Sequence, residues 1–328
     1  MTTLVTLHMS PTLSAKVKQW LRMLLQEVAI PLLGIGCFLL VWAIAANRID
    51  TSLGKFPGPA AAYEQAHNLW NEYREEKQKE KEFYARQAER NAQHLAEDPN
   101  FVAKVRPYTG KPTFPSQVVT SLVTVLSGFA LALLVGLPTG IAIGLNRMLN
   151  SAFNPVIQIF KPVSPLAWLP LVTLVVSSVY TSENPTFSKS YINSLLTVAL
   201  CSLWPIVINT AVGVASIPQD WVNVSRVLRL GWFTHVRKLV LPAAVPAIFT
   251  GMRLALGVAW MVLIAAEMLA QNPGLGKFVW DEFQNGSTNS LGRIMVAVLA
   301  IGLIGFLLDR SMLQLQRWLS WDKASASR

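Results

Sequence analysis

Six stretches of the chain are apolar enough to cross a bilayer. Ala29 to Ala46 runs 18 residues without a charge, which is long enough to span hydrocarbon about 30 Å thick with flanking help. Gln117 to Leu145 is charge-free over 29 residues. Pro162 to Tyr180, Ile192 to Pro218, Pro242 to Leu269 and Leu291 to Leu308 follow, with Arg253 and Glu267 inside the fifth. Residues 47 to 115 read differently, with 11 Lys/Arg and 10 Asp/Glu. Within them Glu72 to Asp98 predicts one long charged helix, ended at Asp98-Pro99 because a proline ring disfavours helix in the residue before it. The pattern predicts an all-α integral membrane protein with about six transmembrane helices and one helical insertion outside the membrane.

Finer features shape individual spans. Gly136, Gly140 and Gly144 recur every four residues on one face of the second span, a spacing that lets a neighbouring helix approach closely. Pro138 should bend that helix. Ala43-Ile44-Ala45 resembles a signal-peptidase site. The length of the apolar run and the count of spans after it favour an uncleaved first helix instead.

Composition agrees with this picture. Hydrophobic residues make up 52% of the 328, and charged residues 14%, against about 25% in soluble domains. The formal net charge of +10 suits either nucleic acid or membrane topology. With the N-terminus placed inside, the inner segments hold Lys16, Lys18, Arg22, Arg147, Arg226, Arg229, Arg237, Lys238, Arg310, Arg317, Lys323 and Arg328, and the short outer loops only Lys189 and Lys277. That is 12 against 2, so topology accounts for the charge and nucleic acid is not needed. Cys37 and Cys201 sit in apolar runs, and His8, His67, His94 and His235 are isolated, so neither a disulfide framework nor a metal or histidine centre is expected. Gly-Lys pairs at 54-55, 110-111 and 276-277 are followed by Phe, Pro and Phe, which excludes a phosphate-binding loop.

Charge inside a span is costly and often functional. Arg253 lies about ten residues, roughly 15 Å, into the fifth span. Trp260 and Glu267 follow at seven-residue steps, near one helix face. One reading is a pore-facing stripe in which Arg253 attracts an anion; the other is an ion pair or an anchor at the interface. Glu267 is the one carboxylate clearly within a predicted span. Lys161, before the third span, is an interfacial anchor or a substrate contact. In Ser164-Pro165-Leu166-Ala167-Trp168-Leu169-Pro170 the prolines free backbone groups to face a pathway. The loop Ile217 to Pro242 mixes Val224, Val227, Leu228, Leu230 and Trp232 with Arg226, Arg229, Arg237 and Lys238. It reads as an interfacial amphipathic helix or as a helix made to fit a partner's groove.

That loop resembles the coupling loop of binding-protein-dependent ABC importer permeases. The family pattern is Glu-Ala-Ala, a Gly four residues after the last Ala, and Ile-x-Leu-Pro about ten further on. Here the triplet falls on Asn223-Val224-Ser225, the Gly position on Arg229, and the end on Leu239-Val240-Leu241-Pro242. The spacing and Leu-Pro end match; the triplet and Gly do not. The run Ser164 to Pro170 resembles the nitrate, bicarbonate, taurine and alkyl-sulfonate branch. Trp204 to Gly213, which includes Asn209, and Ile217-Pro218-Gln219-Asp220, Ile248 to Arg253 and Ala265 to Leu269 resemble nitrate permeases. The likeness covers residues 115 to 315 well, and the 47 to 115 insertion resembles that of proteobacterial nitrate permeases.

The resemblance implies a type I importer permease in a bacterial inner membrane, with both termini cytoplasmic. Its parts would be 1-46, the cytoplasmic N-terminus and first span; 47-115, a periplasmic helical insertion; 116-315, the core with coupling loop 217-242; and 316-328, a cytoplasmic tail. A second permease copy, two cytoplasmic ATPase subunits and a periplasmic or tethered binding protein would be its partners, in a lipid bilayer without nucleic acid. ATP and Mg would sit on the ATPase and no cofactor on this chain. Gln219, Asp220, Asn223, Val224, Ser225, Arg226, Arg229, Leu239, Leu241 and Pro242 would contact the ATPase; Arg253, Trp260, Glu267, Ser164, Pro165, Trp168 and Asn209 would line the pathway. The cargo would be nitrate and nitrite. Bicarbonate, cyanate, taurine or another sulfonate on the same architecture, a secondary transporter, and a membrane enzyme are the competing readings. The last two want inverted repeats with embedded carboxylates or an interfacial cluster of His, Asp and Glu, and the sequence offers neither.

Overall fold

A computed structural model describes residues 29–51, 54–98, 102–103, 105–181, 186–287 and 289–319. Lys16, Lys18, Arg22, His8, Pro99, Lys323 and Arg328 lie outside the described residues. The chain divides into two units, Met1–Glu64 and Gln65–Arg328.

In the first unit, α1 spans Ile30–Ala46. Its 17 residues reach about 26 Å, and Ile30, Leu33, Phe38 and Ile44 around it are all exposed, as a helix surrounded by lipid requires. Trp42 Nε1 donates to the Pro57 carbonyl at 3.0 Å, folding the following segment back. That segment is a two-residue antiparallel hairpin, β1 (Asp50–Thr51) with β2 (Gly54–Lys55). The long helix α2, Pro59–Glu97, begins here and continues in the second unit.

The second unit contains α3 (Phe114–Leu145), α4 (Arg147–Phe160), α5 (Pro165–Val179), α6 (Lys189–Ala215) and α7 (Gln219–Val227). A short α8 (Trp232–His235) passes through a π-turn (Val236–Val240) into α9 (Leu241–Ala270). α10 (Leu275–Asn285) and α11 (Ser290–Leu319) complete it. Among the described residues, α3, α6, the continuous run Trp232–Ala270 and α11 are each long and apolar enough to cross a membrane. The remaining predicted spans differ in detail. Pro162 to Tyr180 folds as α5, whose 15 residues reach only about 22 Å. Only taken together with α4 is it long and apolar enough to cross, and the pair is bent by 101°, as in a broken span or a re-entrant loop. Ser164, held extended at ψ 141° before Pro165, sets the break. The continuous helix that carries the fifth span begins at Trp232, ten residues before Pro242, so its first turns belong to the loop. Pro242 cannot donate to the helix ladder, and the chain absorbs this with the π-turn, in which Leu241 N bonds to Val236 O. The sixth span continues past Leu308 to Leu319 and takes Asp309 into the helix. Glu267 is therefore not the one carboxylate on these helices.

The core forms where α6 packs between α3 and α9. A Cβ added to Gly128 would lie 2.8 Å from the Leu195 carbonyl, at Gly136 2.9 Å from Ile206, at Gly140 2.6 Å from Thr210 Cβ and at Gly144 2.7 Å from the Ala211 carbonyl. The glycine stripe is thus the face on which α6 lies, and the partners climb in step, so the two helices run parallel. On its other side α6 meets α9 antiparallel: Gly213 faces Ala247, and Gly251 faces Pro205 and Asn209. Val125, Val198, Ala259, Leu263 and Leu275 close the core toward one end, and Val214, Ile217, Val240, Ala244 and Ile248 toward the other.

Candidate functional site

The loop between α6 and α9 is ordered by its own hydrogen bonds. Pro218 at ψ 136° starts α7, with Gln219 and Asp220 in its first turn. Leu230 N bonds to Ser225 O at 3.1 Å and Arg229 N to Arg226 O at 3.0 Å, the paired bonds of a Schellman ending. Arg229 occupies its left-handed position with φ 48°. That is the position at which the family pattern carries glycine. Ser225, buried, lies 2.7 Å from His235 Nδ1 and ties α7 to α8. His235 has no near neighbour of its kind in sequence, and only the turn brings it to Ser225. Val222, Leu239 and Leu241 pack on the buried Val214–Val240 cluster. Asn223 and Arg226 are exposed, as are Trp221, Val224, Val227, Leu228, Trp232 and Phe233. Pro242 lies past the loop, inside the α9 helix.

The seven-residue series on α9 does not act as one stripe. Arg253 pairs with Asp309 on α11 through contacts of 2.9, 3.1 and 3.2 Å. Trp260 is buried and donates to the Ile301 carbonyl of α11 at 3.0 Å. Glu267 is 0% exposed. It accepts from Ser121 of α3 at 2.8 and 2.9 Å and from Gly276 N at 3.0 Å, while Ser121 Oγ itself accepts from Leu275 N. These groups fasten the turn into α10, where a Cβ on Gly274 would collide with the Glu267 carboxyl. Two of the three residues thus tie α9 to α11 and the third ties it to α3 and α10.

The α4–α5 break brings together a further set. Ser164 caps α5, accepting from Leu166 N at 3.3 Å, and Pro165 is its first residue. Trp168, one turn on, stacks on Phe160 with ring centres 5.8 Å apart, and Phe160 stacks on Trp204 of α6 at 6.1 Å and 10°. Neither the Trp168 nor the Trp204 indole N–H finds an acceptor, although both are shielded from solvent. Asn209, one turn past Pro205, donates to the Pro205 carbonyl at 2.8 Å. Phe160 carries no charge and no motif, and Trp204 enters the sequence reading only as the first residue of the run Trp204 to Gly213, so sequence alone does not pair them.

The long helix α2 is secured at both halves. Leu69 packs with Phe278 and Ala297, and Arg293 pairs with Glu72 and, at 3.1 Å, with Glu282. Farther along, the Glu76 carboxylate accepts from Tyr108 OH at 2.8 Å and Lys111 N at 3.0 Å, holding the returning strap. The Tyr108 hydroxyl holds the Glu76 carboxyl below its ordinary range. A mixed-charge cavity of about 480 Å³ opens beside Tyr73, Lys77 and Lys111. Among the described residues, no group of three or more His, Cys, Asp or Glu is placed to hold a metal ion.

Residues 128–321 match the family described as binding-protein-dependent transport system inner membrane component. The chain belongs to that family. Its relatives are permeases of the nitrate, bicarbonate and taurine branch. The bicarbonate transport system permease protein CmpB of Synechococcus elongatus is 34% identical over 307 residues, 92% of each chain. The nitrate import permease protein NrtB of the same species is 35% identical over 213 residues, 62% of this chain and 72% of the relative. The taurine transport system permease protein TauC of Escherichia coli is 30% identical over 208 residues, 63% and 70%. In fold, the chain is similar to the inward-facing MetNI methionine ABC transporter, with a TM-score of 0.54 at 14% identity over 63% of this chain and 96% of that one.

Proposed function

We propose that this ABC importer permease of the nitrate, bicarbonate and taurine branch forms the translocation pathway for a small planar oxyanion, nitrate and with it nitrite, as one of two permease copies in a bacterial inner membrane. Both termini face the cytoplasm, and the long α2 stands on the periplasmic side, where a binding protein delivers the anion. Two cytoplasmic ATPase subunits, which hold ATP and Mg, dock on the α7–α8 loop. The chain itself carries out no catalysis. When the ATPases close they draw the loops together, and hydrolysis releases them.

The observation that carries this reading is the exposure of Trp221, Val224, Val227, Leu228, Trp232 and Phe233 on one loop between two spans. A contiguous apolar patch on a solvent-facing loop marks an interaction surface, and the rigid Schellman turn presents it as a fixed shape. Bicarbonate is the second reading. The relative that aligns over 92% of this chain is a bicarbonate permease, and bicarbonate shares nitrate's single charge and planar shape.

The test is ATPase activity of the reconstituted complex with its binding protein, titrated with nitrate, nitrite, bicarbonate and taurine. Stimulation by nitrate or nitrite alone supports the first reading. Stimulation by bicarbonate or taurine keeps the architecture and replaces the cargo. Failure of any ATPase to co-purify refutes the docking assignment.

A further inference from the structure

The segment from α3 through α6 is nearly devoid of negative charge. Between Phe114 and Gln219 the sequence has a single carboxylate, Glu183, and it lies outside the described residues. Within this segment the α4–α5 crossing is broken, and the break carries a cation, Lys161, between Phe160 and Ser164. Lys161 is exposed and forms no ion pair among the described residues. Flanking it, Trp168 and Trp204 stack on the one ring of Phe160. Both indole N–H groups are shielded from solvent and lack an acceptor.

An indole nitrogen only donates. Leaving such a donor unpaired in a low-dielectric interior is costly, and most buried polar groups find partners. Two orphaned donors on one aromatic stack therefore call for an acceptor from outside the protein. Trp204 lies 11 residues before the end of α6 at Ala215, roughly 16 Å along the helix, so the stack lies against the middle of that helix. Non-helical backbone within a membrane is tolerated where it lines a protein-enclosed or watered path.

We propose that the Phe160–Trp168–Trp204 stack with Lys161 is an oxyanion-binding step within the translocation path. The two indole N–H groups donate to oxygens of a planar monoanion, Lys161 supplies the positive field, and the Phe160 ring spaces the two donors. No carboxylate on α3 to α6 opposes the anion at this step. Discrimination against cations comes from the charge of Lys161, since the indole N–H groups only donate. The inference rests on the importer reading above.

The test uses the complete importer with its ATPase and binding protein in proteoliposomes, reading nitrate and, separately, bicarbonate taken up per ATP hydrolysed. Trp168→Phe and Trp204→Phe keep the ring stack and remove only the N–H. The expected result is a coupling ratio reduced about 10-fold in each single variant, the scale of one lost charge-assisted hydrogen bond, and further in the double variant, in complexes that assemble at wild-type yield. A double variant with the wild-type ratio overturns the proposal. Should the double variant not assemble, Lys161→Gln against Lys161→Arg decides: loss in the first and retention in the second supports the site, and equal uptake overturns it. A wild-type complex that takes up neither anion overturns the importer's cargo assignment instead, and is recognised before any variant is made.

Discussion

The tightest contact of the α3 glycines on α6 sets up a quantitative experiment. At Gly140 of α3 an added Cβ would meet Thr210 Cβ at 2.6 Å and the Val207 carbonyl at 2.9 Å. Carbon atoms prefer about 3.5–4.0 Å, so Gly140→Ala forces the helices apart by about 1 Å or strains both backbones. Overpacking of this kind costs about 1–3 kcal/mol. Against it stands the gain of about 1 kcal/mol for replacing glycine by alanine inside a helix. Gly302 of α11 has nothing within 4 Å of its Cβ position, so Gly302→Ala keeps the gain without the collision. The difference between the two variants isolates the packing cost, and at about 2–4 °C per kcal/mol for a domain of this size it should appear as several degrees. Thermal unfolding of the detergent-solubilised protein, followed by loss of the monodisperse chromatographic peak, reads it. Gly136→Ala should fall between them, because its nearest atom, Ile206 Cγ2, stands at 2.9 Å rather than 2.6 Å and its three nearest atoms are all side-chain atoms. If Gly140→Ala and Gly302→Ala unfold at the same temperature, the close approach of α3 and α6 is not what holds the core.

Arg229→Gly should stabilise the α7–α8 loop by about 1 kcal/mol, since an L-residue in the left-handed region costs about that much and glycine does not; no gain in the same unfolding assay contradicts the strained turn. Arg253→Gln and Arg253→Lys separate the pathway role from the staple role: both should weaken assembly modestly, because the pair with Asp309 is partly exposed and screened, and unchanged anion uptake in both removes Arg253 from the pathway. Trp260→Phe should cost about 1 kcal/mol for the bond to Ile301, and equal stability would show that bond to be idle. The strap held by Glu76 should loosen in acid: a carboxyl held below its ordinary range contributes its stability above the unfolded range and loses it as pH falls through the folded value. Hydrogen exchange at the Lys111 amide, faster in acid after correction for intrinsic rate, reads this, and an exchange profile indifferent to pH refutes it.

Periodicity and charge made most of the fold legible. The glycine spacing on α3 predicted a close partner, and the basic loop predicted an amphipathic helix. The break within the third span was visible only as prolines, because a proline marks a possible interruption without stating its angle. The extent of the fifth span was obscured by Pro242, whose effect the π-turn absorbs. The seven-residue series Arg253, Trp260 and Glu267 shared a helix phase, yet their partners, Asp309, Ile301 and Ser121, lie 41 to 146 positions away. Such pairings come from packing and leave no local signal. The same holds for Phe160 and Trp204, which matter through what they stack against.

The π-turn at Val236–Val240 also sets the phase of everything before it. It inserts one residue's worth of helix into a run of 39 residues from Trp232 to Ala270, which is about 58 Å long. One residue corresponds to about 100° of rotation about the helix axis. Removing one residue from the turn would keep the length nearly constant while swinging Trp232 and Phe233 a quarter-turn around the rod. The exposed apolar face of the loop is therefore keyed to the far end of α9 by a single register element, as a cam is keyed to its shaft.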